Sequence, residues 1–144
     1  MNAVFKRESA LVLYGNSLLS ASIGTYGSVD FDFESIWEFI KETSDFDKEK
    51  LHFIHSHPPG VDTYSSLDIQ CMKALNMAFG FAINFWIMYC DIEGNPNLKR
   101  YKIKDGTVIE EDTVIGEDET IIGALEPIRK LLILLSCAYD SYIS

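Results

Sequence analysis

The chain has 144 residues, 47% of them hydrophobic and 12% aromatic, with 22 acidic side chains against 12 basic ones. That length and apolar content fit one folded domain spanning residues 1–144 and exclude intrinsic disorder. A net charge of −10 argues against a surface built to neutralise nucleic-acid phosphates or to sit on an anionic membrane.

Residues 10–14 form a short apolar run that Gly15-Asn16 ends as a turn. Residues 17–26, rich in Ser, Thr and Ile, would pair back on it as a hairpin. Phe33, Ile36, Trp37 and Ile40 recur at helical spacing, which predicts an amphipathic helix over 33–43. Its solvated face would carry Glu34, Glu38 and Glu42. Residues 50–55 read as a strand, and Pro58-Pro59-Gly60 must then be a loop. A helix follows over 65–77, with Leu67, Met72, Leu75 and Met77 among its apolar positions. The nearly continuous apolar run 81–90 fits a buried central strand. Residues 94–97 read as a turn and 98–103 as a strand. Asp105-Gly106 is a tight turn into a strand over 107–109. Residues 110–120 are acidic and read as a surface connection, and 120–139 as a closing helix with Pro127 near a start or kink. The order β-β-α-β-α-β-β-β-α predicts an α/β (α+β) domain, a mixed sheet flanked by helices.

Location follows from smaller signals. Cys71, Cys90 and Cys137 are odd in number, widely spaced and form no CxxC, as expected of free thiols in a reducing compartment. Lys6-Arg7 ahead of a short apolar run mimics a signal peptide, but Glu8 and Tyr14-Gly15-Asn16-Ser17 interrupt the pattern. The apolar stretch 121–139 contains Glu126, Pro127, Arg129 and Lys130, which disqualifies it as a span. The expected location is cytoplasmic.

Chemistry concentrates in residues 55–68. His55 and His57 stand two apart at the end of a predicted strand, so alternation puts both imidazoles on one face. Asp68 falls in the first turn of the next helix, which a loop of this length can fold back beside them. Two imidazoles and a carboxylate make a three-ligand site with one position open, the pattern of a catalytic zinc rather than a closed structural one. Zinc brings the pKa of its water to roughly 7. Hydrolysis also needs a proton carrier, and Glu8 stands just before the first strand. Glu34, Glu38 and Glu42 compete for that role but belong to the predicted helix.

The spacing His55-x-His57-Pro58, then Ser65-x-x-Asp68, resembles the JAMM motif of the MPN+ zinc metalloproteases. The stretch from Glu8 to Gly15 is similar to the family's Glu-bearing strand, and the likeness runs over roughly residues 8 to 105, as in a compact prokaryotic or phage-like member. The resemblance implies the MPN fold, related in outline to cytidine deaminases. It implies one Zn2+ held by His55, His57 and Asp68, Glu8 as general base and then acid, and Ser65 as a hydrogen-bond donor to the oxyanion. The family hydrolyses peptide or isopeptide bonds, often at the tail of a ubiquitin-like or sulfur-carrier protein, so a protein substrate is the expected partner. The family's helix before the Glu-bearing strand has no counterpart in the seven residues preceding Glu8.

Plainer readings stand beside these. Ser65-x-x-Asp68 is also a capping box, compatible with metal binding. His52, three residues from His55, would face the other side as an ordinary strand residue, Asp62 is a loop carboxylate, Cys71 a small core residue, and Trp37 and Trp86 core. Two other functions compete: a non-catalytic MPN-type scaffold, and a nucleobase deaminase, whose H-x-E and P-C-x-x-C are both missing.

Overall fold

The computed structural model of the chain describes residues 9–15, 17–23, 33–57, 64–90 and 96–111. Within them lie β1 (Ser9–Tyr14), β2 (Ser17–Ile23), α1 (Phe33–Glu42), β3 (Leu51–Ser56), α2 (Ser66–Phe79), β4 (Asn84–Cys90), β5 (Pro96–Lys104) and β6 (Thr107–Glu111). The strands make one mixed six-stranded sheet in the order β2-β1-β3-β4-β5-β6. Only β3 and β4 run parallel, and α2 connects them. The other neighbouring pairs are antiparallel. The architecture is α+β. The helix expected over 120–139 lies outside the described residues.

The core forms where strand alternation and helical periodicity point the same way. Ala10, Val12, Leu51, Phe53, Phe85, Ile87, Tyr101 and Ile103 share one face of the sheet. Ile36 of α1 and Met72 and Leu75 of α2 join the same cluster, so both helices pack on that face. The opposite face buries Leu11, Leu13, Ile54, Trp86 and Met88 just as fully.

Several boundaries differ from the sequence reading. Lys50 closes a 3-10 turn, Lys48–Lys50, which Asp47 caps by accepting the Glu49 N–H at 3.0 Å. Phe81 does not begin β4: it packs on the Phe46 and Phe79 rings. The Ile83 N–H is committed to Asn76 Oδ1 at 2.8 Å, so pairing starts only at Asn84, opposite His52. Pro96 and Asn97, expected in a turn, open β5 instead; a first strand position tolerates the missing proline donor. Glu110 and Glu111, expected in a connection, extend β6, and Lys104 pairs with Glu111 at 3.0 Å. Trp86 is fully buried, whereas Trp37, expected in the core, is 42% exposed beside Phe79. Leu67 and Met77 are also exposed, since the buried stripe of α2 runs through Asp68, Met72 and Leu75.

Candidate metal centre

The cluster forms where β3 ends and α2 begins. Ligand sites in sheets with parallel strands favour this place, outside the strands' carboxyl ends. His55 lies on β3 opposite Ala10 of β1, on the face that carries Leu51 and Phe53. His57 follows the strand, and its backbone N–H donates to the Met88 carbonyl of β4 at 2.9 Å. Asp68 reaches the site because it shares a helical stripe with Met72 and Leu75, which pack on the sheet.

Each imidazole Nε2 meets the carboxylate. His55 Nε2 lies 2.8 Å from Asp68 Oδ1, and His57 Nε2 lies 3.0 Å from Asp68 Oδ2. The two Nε2 atoms are 2.9 Å apart, with the rings edge to face at 4.5 Å. All three residues are buried. Each ring nitrogen offers one proton or one lone pair, so protons satisfy at most two of these three short edges. A cation between them satisfies all three.

The donor set also fits the ion by size and type. A tetrahedral zinc with bonds of roughly 2.0–2.1 Å spaces its ligands about 3.3 Å apart, so the 2.9 Å between the two Nε2 atoms need open by only about 0.4 Å. The three ligand atoms lie within 4.8 Å of one another. His57 Nδ1 is buried without a partner, so backbone and ring packing hold this ring rather than a hydrogen bond from its far nitrogen.

Ser65 organises the helix start. It is the N-cap: its Oγ accepts the Asp68 N–H at 3.2 Å, and its own N–H donates to Asp68 Oδ2 at 2.7 Å. The capping box expected from sequence is thus complete, with its carboxylate shared between the cap and the histidines. The Ser65 hydroxyl proton is not used by the cap and stays available to a ligand. Burial opposes ionisation of Asp68, but hydrogen bonds from His55 and His57, the His55 charge and the Ser65 N–H outweigh it. The carboxyl is held well below the usual carboxylate range, as a metal ligand requires.

Glu8 and Asp62 lie outside the described residues. Glu34, Glu38 and Glu42 are exposed along α1, and Glu38 pairs with Lys41 at 2.9 Å. His52 sits on the other face, where its Nδ1 accepts the Trp86 Nε1–H at 2.9 Å. Cys71 is partly buried against the core cluster. Sequence reasoning passed over Tyr64. Its ring stands edge to face against Tyr101 of β5 at 5.0 Å, directly ahead of the cap. The available signal was an apolar residue on each side of the capping box, Tyr64 before Ser65 and Ile69 after Asp68.

Fold and site together define an α+β domain with a buried His-His-Asp cluster able to hold a metal ion. No family model and no curated relative matches the chain. Among solved structures it is similar to the solution structure of protein DSY2949 from Desulfitobacterium hafniense, a structural-genomics target. The two are 17% identical over 81% of this chain and 84% of that one, with a TM-score of 0.49. No described helix is long and apolar enough to cross a membrane.

Proposed function

We propose that this protein is a zinc-dependent metallopeptidase or isopeptidase of the JAMM type. The observation that carries the reading is the convergence of His55 Nε2, His57 Nε2 and the Asp68 carboxylate, three ligands that leave a position open. When bound, zinc supplies Lewis acidity toward a scissile carbonyl and a water that ionises near neutral pH. The chain's own residues do the rest. Asp68 stays ionised because the imidazoles and the Ser65 N–H stabilise its charge. Ser65 donates its free hydroxyl proton to the oxygen on which negative charge develops. Glu8 takes a proton from the attacking water and returns it to the departing amine. Its position in the chain supports that role: Glu8 is two residues before Ala10, which lies directly opposite His55.

The proposed substrate is the extended C-terminal tail of a ubiquitin-like or sulfur-carrier protein. In the described sheet β2 and β6 are the edge strands, where an extended segment can add by main-chain hydrogen bonds. Metal analysis and a tail-cleavage assay test the reading together. Wild type should carry about one zinc per chain and lose cleavage to a chelator. His57→Ala should lose the zinc. Glu8→Gln should keep it and lose cleavage by at least about 100-fold. A chain that takes up no zinc on reconstitution refutes the zinc site. Normal cleavage by Glu8→Gln refutes the role of Glu8.

A further inference from the structure

A ring of contacts closes around the cluster. His55 packs against Phe85 of β4, with ring centroids 5.5 Å apart. Phe85 is the direct cross-strand partner of Tyr101 on β5. Tyr101 meets the Tyr64 ring at 5.0 Å and an interplanar angle of 82°, the favoured edge-to-face arrangement. Tyr64 is bonded to Ser65, whose N–H holds Asp68 Oδ2 at 2.7 Å. Asp68 Oδ1 returns to His55 Nε2 at 2.8 Å. One ligand is therefore tied to the other by a packed path through three strands as well as by direct contact.

Tyr64 and the N-cap Ser65 are the links in this ring that belong to no strand or helix, and Tyr64 alone of the two contributes a packed ring. It occupies the position before the N-cap, and Ile69 the fourth position of the helix. These two positions fix the angle at which a chain enters a helix, and both side chains pack against the core cluster. The entry angle of α2 decides where Asp68 stands relative to two histidines fixed on a different element.

We infer that Tyr64 is a positioning residue for the metal centre, which sets the entry of α2 against Tyr101 and so holds Asp68 at ligand distance from His55 and His57. The inference rests on the zinc reading above and adds a residue which that reading does not use. The ring edge does the work, since the 5.0 Å contact is between aromatic planes, so phenylalanine should replace tyrosine.

The test compares Tyr64→Ala, Tyr64→Phe and Leu13→Ala with wild type. Leu13→Ala removes a buried side chain from the opposite face of the sheet and reports a loss of packing alone. Zinc affinity is measured by competition with a chromophoric chelator. Amide hydrogen exchange is followed in the metal-free protein at Asp68 and Ile69, whose N–H groups bond to Ser65 Oγ and Ser65 O. Tyr64→Ala should weaken zinc binding about ten-fold, in the range of other supporting-residue substitutions, and speed those two amides by a similar factor. Tyr64→Phe should restore both to within about two-fold, and Leu13→Ala should leave zinc affinity near wild type. Unchanged affinity and exchange in Tyr64→Ala overturn the inference, as does an equal loss of affinity in Leu13→Ala. If wild type takes up no zinc, the reading of the site falls, and exchange at Asp68 and Ile69 alone decides whether Tyr64 sets the helix start.

Discussion

His52 is the buried imidazole that the metal cluster does not use, and its surroundings make it a sensor of acid. Trp86 Nε1 can only donate, so the His52 Nδ1 that accepts from it carries no proton. The proton sits on Nε2, which is buried without a partner. Burial, then the charges of Arg100 and Lys102, lower its pKa from 6.5 to about 4. Arg100 lies over the Trp86 ring at 5.8 Å, and Lys102 is paired with Glu49 at 3.0 Å. In the folded chain His52 stays neutral down to about pH 4, whereas in the unfolded chain it takes up a proton below about 6.5. Between those values the unfolded state binds more protons, so stability falls as pH drops. The contribution is whole above pH 6.5 and amounts to about 3 kcal/mol at most. His52→Gln, which retains an acceptor for Trp86, should flatten the fall. Urea unfolding of both metal-free chains at pH 7.5 and pH 5 checks this, and parallel pH dependence would remove the role.

At the scale of elements, α2 carries the most information. Its N-cap Ser65 was expected from the capping box, and the structure adds Gly80 as the C-cap, past the expected end at residue 77. Gly80 has φ +83°, where a side chain is strained. Gly80→Ala should cost about 1 kcal/mol for that reason, and Ser65→Ala about 1 kcal/mol through the lost cap. The two differ in reach. Gly80 lies at the far end of the helix, so its variant should keep wild-type zinc affinity, while Ser65→Ala also frees the turn that holds Asp68. Urea unfolding with zinc titration separates them; equal affinities would show that the cap does not matter to the site. The β5-β6 turn follows the same logic: Asp105 and Gly106 both have positive φ, as a tight hairpin turn requires.

For the whole molecule, the net charge of −10 bears on the proposed substrate. An acidic protein attracts a basic tail at long range, and salt screens that attraction over about 10 Å at 0.1 M. Raising salt from 50 to 500 mM should therefore raise KM for a basic-tailed substrate several-fold and leave kcat nearly unchanged. Steady-state kinetics across that range test the idea. A KM independent of salt would remove the electrostatic contribution and leave the metal centre untouched.

Much of this was legible in the chain because the signals are local. Period-two alternation placed His55 and His57 on one face, a capping box marked the start of α2, and Asp105-Gly106 announced its turn. Local signals are weaker where two structures use the same residue types. Phe81 to Ile83 are as apolar as the strand they precede, yet Phe81 packs on the Phe46 ring and Ile83 enters the core ahead of the strand, and periodicity cannot separate those outcomes. Met77 and Trp37 look like core residues but fall off the buried stripes, because a helix's orientation is set by what it packs against. Residue types and spacing alone specify which atoms can bind a metal. Tertiary structure alone brings them within 3.0 Å of one another, since strand order, the parallel β3-β4 pair and the entry angle of α2 depend on contacts between segments far apart in the chain.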